Sequence, residues 1–189
     1  MRNSLKYMAI STLVLSTPFC VAETATQTAS VTVQNAITIT PGDILDFGTV
    51  YALADTSGTT VATLTIPSDG GTSTFTATTP STANLVEIAA GAPATFTVSG
   101  VAPNTNLTLN LPTSAITLSG SNSATFTVDS FEATVTTSTA TAYTSGSPNL
   151  ATDSTGNATF AVGATLSTTN VAAYTDETYS GTFSVEVVY

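Results

Sequence analysis

The chain has 189 residues, 42% of them hydrophobic, and a formal net charge of −10, because 12 acidic residues face only Arg2 and Lys6. So acidic a surface excludes nucleic acid and anionic membranes as electrostatic partners. The apolar residues recur in regular alternation, which excludes a disordered, charge-swollen coil.

Arg2 and Lys6 precede the apolar run Met8–Leu15, and Thr17–Ala22 follows with small residues three and one positions before Glu23. This is the layout of a secretory signal peptide, residues 1–22, which predicts export through the periplasm to the cell surface. The apolar run is too short for a membrane span and no later segment is long enough, so no span is expected. Cleavage after Ala22 removes both basic residues and the only Cys, leaving 167 of the 189 residues and moving the charge from −10 to −12. The remaining chain contains no Lys, Arg, His, Trp or Cys. Neither a disulfide nor a side-chain salt bridge can form in it, so stability must come from an apolar core and strand ladders. Trypsin has no site beyond Lys6, so survival in trypsin is no evidence of folding. Thr and Val abound while helix formers are scarce, which predicts strands and almost no helix.

In chain order, Ser30–Thr40 alternates: Val31, Val33, Ile37 and Ile39 share a face. The turn Pro41-Gly42-Asp43 leads to Ile44–Val50, where Leu45 and Phe47 share a face and Gly48 marks a bulge or a close backbone approach. Thr60–Ile66 and the weakly apolar Thr72–Thr79 form a hairpin about Asp69-Gly70, the second strand at an edge. Leu85–Ile88, Ala94–Val98, Leu107–Leu111 and Ile116–Leu118 follow as strands. Phe126–Phe131 then switches apolar parity, which calls for a bulge at Asp129-Ser130 if both halves are to face the core. Residues 136–157, rich in Ser, Thr, Ala and Gly, read as a long exposed loop, the alternative being a short edge strand around Tyr143. Phe160–Leu166 and the odd positions from Tyr179 to Tyr189 close the chain. About ten short strands with turns between them predict an all-β, antiparallel, immunoglobulin-like sandwich over residues 41–189, preceded by an extension at 23–40.

Leu45-Asp46-Phe47-Gly48-Thr49-Val50, Phe126–Phe131, Val162–Leu166 and Tyr179–Tyr189 together resemble the secreted bacterial family called domain of unknown function 4402. More loosely they are similar to spore-coat-protein-U-like domains and archaic chaperone-usher pilins. The resemblance implies that the segment before the Leu-x-Phe-Gly strand is a donor strand, and that a periplasmic chaperone and an outer-membrane usher are partners. The chain departs from those pilins in having no disulfide and no Gly at the usual spacing before its C-terminus.

Without His, Lys, Arg or Cys in the exported chain, the usual bases, cationic clamps and thiol nucleophile are missing, and no enzyme or cofactor is expected. Asp43 with Asp46 and Asp176 with Glu177 are the carboxylate pairs that a glycosidase reading would need. Each pair lies in a turn, where acids cap backbone amides. Asp153–Asn157 and Asp43–Asp46 offer oxygens for calcium but not the spacing of a calcium loop. Thr-x-Thr pairs such as Thr63/Thr65 and Thr95/Thr97 lack the fixed period of an ice-binding repeat, and the Asn106 and Asn157 sequons carry no expectation. Strand addition remains: Val31, Val33, Ile37 and Ile39 would enter the groove of a neighbouring copy, worth roughly 6–12 kcal/mol before ordering costs. The expected function is a non-catalytic subunit of a filament or surface layer that self-associates by donor-strand exchange; the alternative is a monomeric secreted module binding glycan or metal.

Overall fold

The computed structural model describes residues 22–33, 36–77 and 82–189. The chain divides into two units, residues 1–32 and 33–189. Residues 22–32 of the first are exposed and carry no regular structure; the rest of the expected signal peptide lies outside the described residues. The second unit is all-β and antiparallel, as alternation and composition predict. Its described residues form thirteen strands, β1 (Thr38–Pro41), β2 (Thr49–Leu53), β3 (Ala62–Ile66), β4 (Thr74–Ala77), β5 (Asn84–Ala89), β6 (Ala94–Ser99), β7 (Asn106–Asn110), β8 (Ile116–Ser119), β9 (Thr125–Val135), β10 (Thr141–Tyr143), β11 (Leu150–Ala151), β12 (Ala158–Thr168) and β13 (Glu186–Val188).

β12 organises the domain. Its even positions Ala158, Phe160, Val162, Ala164 and Leu166 are all buried, so one continuous face lies in the core. One edge carries β9 along nearly its whole length. The other edge carries β6 against residues 158–162 and then β3 against residues 164–167. Gly163 stands at that change of partner, where a Cβ would lie 2.2 Å from the Ile66 carbonyl oxygen and 2.5 Å from the Ser68 nitrogen, so the crossing of β3's end requires glycine.

β9 obeys the parity argument. Gly163 opposes Glu132 and Thr165 opposes Asp129, so Ser130 and Phe131 together face Ala164. Ser130 has φ 53°, and this bulge keeps Phe126 and Val128 on the same face as Ala133 and Val135. The sheet is completed by β1 on β6, β4 on β3 as the expected edge, and β8 and β10 on β9.

A second layer covers the apolar face in two pieces. Over β6, β10 and the adjoining halves of β9 and β12 lies the ladder β11-β7-β13, whose Leu107, Leu109, Leu150 and Val187 pack on Val98, Phe160 and Val162. Over β3, β8 and the other halves lies β2-β5, whose Val50, Ala52 and Leu85 pack on Leu64, Phe126 and Leu166. Leu45 and Phe131 touch both clusters.

Two expectations change. Residues 136–157 are not wholly a loop: β10 and β11 pair with β9 and β7, because Tyr143 and Leu150 are buried and the Tyr143 hydroxyl accepts a 2.8 Å bond from Leu109 N while donating to the Ser147 carbonyl. The alternation at Ser30–Thr40 becomes strand only at Thr38–Pro41, which pairs with the chain's own β6 from Thr38↔Ser99 to Pro41↔Phe96. β6 ends at Ser99, and Gly100 with φ 80° turns the chain away, so among the described residues none before Thr38 pairs with β6.

Candidate functional site

The site is a gap in the second layer, between two extended segments that share no ladder. The first segment follows β1. Gly42 N donates to Thr95 O (2.8 Å), Thr95 N to Asp43 O (3.0 Å), and Asp46 exchanges bonds with Ala92 (2.9 and 2.8 Å), so one edge of residues 42–46 is held beside β6. Leu45 and Phe47 turn their side chains inward, but among the described residues their backbones make no hydrogen bond. The Gly48 bulge then starts β2: with φ 74°, a Cβ there would lie 2.1 Å from the Ala89 carbonyl oxygen. Opposite it, Ile88 is the extra residue, since Thr49 pairs with Ala89 and Val50 with Glu87.

The second segment precedes β13. Tyr174 stacks on Phe126 at 4.2 Å between ring centroids, and Tyr179 sits edge-on to both rings at 5.1 and 5.8 Å. The half-buried Tyr174 hydroxyl donates to Thr125 O and accepts from Thr169 N, both at 2.8 Å, and burial raises its pKa above the ordinary phenol value. Glu177 accepts Ser121 N at 2.6 Å, Asn122 N at 3.4 Å and the Thr175 hydroxyl at 3.0 Å. These donors favour the carboxylate and lower its pKa to about 2, Ser121 N–H contributing most. Gly120 leaves the space for that carboxylate, since a Cβ there would lie 2.5 Å from Glu177 Cδ. Ser180 pairs with Ser119 of β8, and Gly181 passes so close to Thr117 that a Cβ would lie 2.5 Å from its carbonyl oxygen. From Gly181 to Val185 no hydrogen bond is made among the described residues. The half-buried Phe183 nonetheless reaches Phe131 at 5.3 Å and Phe96 at 6.2 Å.

Between the two segments lies a groove of about 1030 Å³. Its floor is the core face of the large sheet, contributed by Ile116, Leu118, Phe126, Val128 and Leu166. The groove thus combines an apolar floor, inward side chains on both walls and, among the described residues, backbone groups without hydrogen bonds along both.

The structure separates the four sequence-predicted interface residues. Val31 and Val33 are 86% and 70% exposed. Ile37 and Ile39 are half-buried and pack against the domain's own core, Ile39 from within β1. Gln34 and Asn35, between the pairs, lie outside the described residues.

Asp43, Asp46, Asp176 and Glu177 all border the groove, where Asp46 Oδ1 accepts Gly48 N at 2.8 Å and Glu177 clamps the β8–β9 turn. Asp153 Oδ1 accepts Thr155 N, the Thr155 hydroxyl and Asn157 N at 2.7, 2.7 and 3.0 Å, an Asx turn that holds its pKa below the usual range, the Asn157 N–H foremost. Among the described residues no three His, Cys, Asp or Glu side chains gather as a metal site. Of the wall residues, Tyr179 and Phe183 are legible in the sequence as strand alternation, and Tyr174 only as part of the connection before them.

Residues 37–189 match the model of the family described as Domain of unknown function (DUF4402). The chain belongs to that family. The family domain begins at Ile37, so it contains β1 and the groove and leaves Val31 and Val33 upstream. No curated protein and no solved structure matches the chain. Membership therefore brings a fold-length match and no assigned chemistry.

Proposed function

We propose that this DUF4402 domain is a non-catalytic structural subunit of an extracellular filament or surface layer, assembled by insertion of an N-terminal strand from one copy into the groove of the next. The observation that carries the reading is the groove, with its unused backbone donors and acceptors on both rims. A strand laid there would satisfy main-chain groups on two sides and bury its alternate side chains on Leu118, Phe126 and Val128. A chain without Lys beyond Lys6 and without Cys beyond Cys20 has no side-chain amide or disulfide cross-links to offer, so such an assembly would be held by strand pairing and apolar burial. Export by the N-terminal signal, and a chaperone and usher as assembly partners, belong to the same proposal.

Size-exclusion chromatography of the exported protein across a concentration series, with negative-stain microscopy of native material, tests it. Fibres or ladders of multiples are expected. A monomer at every concentration, with no fibres at the cell surface, would favour a monomeric binding module and end this reading.

A further inference from the structure

Resting on that assembly reading, we infer that the occupant of the groove is residues 24–33 of a second copy, with the neighbouring strand β1 kept at home. The alternating stretch is thereby divided at Gln34-Asn35 into a donated half and a retained half.

Exposure draws the division. Val31 and Val33 stand in solvent, whereas Ile37 and Ile39 already pack in the core of their own domain and Thr38–Pro41 is committed to β6. Removing Ile39 from that place would cost the donor copy what the acceptor gains. The upstream half alternates in the same way: Ala25, Gln27, Ala29, Val31 and Val33 fall on one face, apolar but for Gln27, and Thr24, Thr26, Thr28, Ser30 and Thr32 on the other. Charge agrees with this choice. Four carboxylates, Asp43, Asp46, Asp176 and Glu177, border the groove, and residues 24–33 contain none. An acidic strand would meet like charges with no cationic side chain nearby to offset them.

Strand direction selects a second copy over the chain's own extension. Pro41 opposes Phe96 at the groove and Thr38 opposes Ser99 away from it. β1 therefore runs toward its own groove, and its first residue, Thr38, lies at the opposite end, roughly 10 Å away at the rise of a strand. A donor leaving one end and an acceptor opening at the other make a head-to-tail contact, which propagates into an open chain of copies.

The test uses the exported chain with Val31→Asp/Val33→Asp, and separately with Ile39→Asp, each followed by thermal unfolding of the monomer and by fibre formation. The first variant is expected to keep the wild-type unfolding midpoint and to lose fibres; the second is expected to lower the midpoint. A labelled peptide of residues 24–33 should bind the Val31→Asp/Val33→Asp chain saturably. The same peptide carrying both Asp substitutions should bind on the order of 100-fold more weakly. Normal fibres from Val31→Asp/Val33→Asp overturn the inference while leaving the assembly reading intact. A lowered monomer midpoint in that variant overturns it too, because the segment then folds into its own domain. If wild-type chain never assembles, the assembly reading fails, and the peptide decides: saturable binding keeps the groove assignment and absence of binding removes it.

Discussion

The two halves of the sandwich share a floor and differ in their lids. Under both runs the same β9–β12 ladder, with Phe160 and Val162 at one end and Leu166, Phe126 and Val128 at the other. Over the first half the ladder β11-β7-β13 is hydrogen-bonded across three strands, and Leu107, Leu109 and Leu150 are fully buried. Over the second half β2 and β5 cover part of the floor, and the remainder is flanked by residues 42–48 and 174–185, which do not pair with each other. Ile116 and Leu118 are left half-buried there, and Ile44 and Ile88 at the margin are 76% and 69% exposed. One sheet thus supports a closed core and an open one, and the open one is where the proposed strand would add most.

Deleting Ser130 should break the arrangement most completely. The bulge lets β9 serve both halves, and without it either Phe126 and Val128 or Ala133 and Val135 would turn outward. We expect loss of the cooperative unfolding transition in circular dichroism; a folded deletion mutant of near wild-type stability would refute the shared-ladder account.

Within the closed half, Phe160→Ala removes a buried ring stacked on Phe96 at 5.1 Å. It should cost ~3–5 kcal/mol in denaturant unfolding.

A matched pair sharpens the contrast. Leu109→Ala in the closed half should cost ~2–5 kcal/mol, and Leu118→Ala on the groove floor only ~1–2 kcal/mol, because its site is already open to solvent. Equal costs would mean that the groove is closed in solution. The proposed assembly should raise the Leu118→Ala cost, since an added strand would bury that site.

The smallest effect is expected from Glu177→Gln, which alters the clamp behind one groove wall. Glu177 has a folded pKa of about 2 against an ordinary 4.5, so its contribution is fully present above pH 4.5 and is lost as the pH falls toward 2. The wild-type chain should therefore lose more thermal stability than the variant over that interval, and the two should run parallel above it. Titration curves parallel throughout would show that the clamp does not hold the wall.

Much of this was legible in the residues, because alternation reports on burial of one face and needs no knowledge of the partner. The absence of helix among the described residues, the hairpin at Asp69-Gly70, the edge position of β4, the Asp129-Ser130 bulge and the tight place at Gly48 all follow from composition, from parity and from what glycine alone can do. What alternation cannot report is which edge a strand finds. The odd positions of residues 179–189 look uniform, yet Gly181–Val185 remain unpaired and Glu186–Val188 join β7, because only there does β7 offer a free edge. Likewise Val31, Val33, Ile37 and Ile39 are one pattern in sequence and two environments in the fold. β6 is long enough to hold Thr38–Pro41 and ends at Ser99, so the length of a strand nearly sixty residues away decides where the N-terminal pattern stops being core.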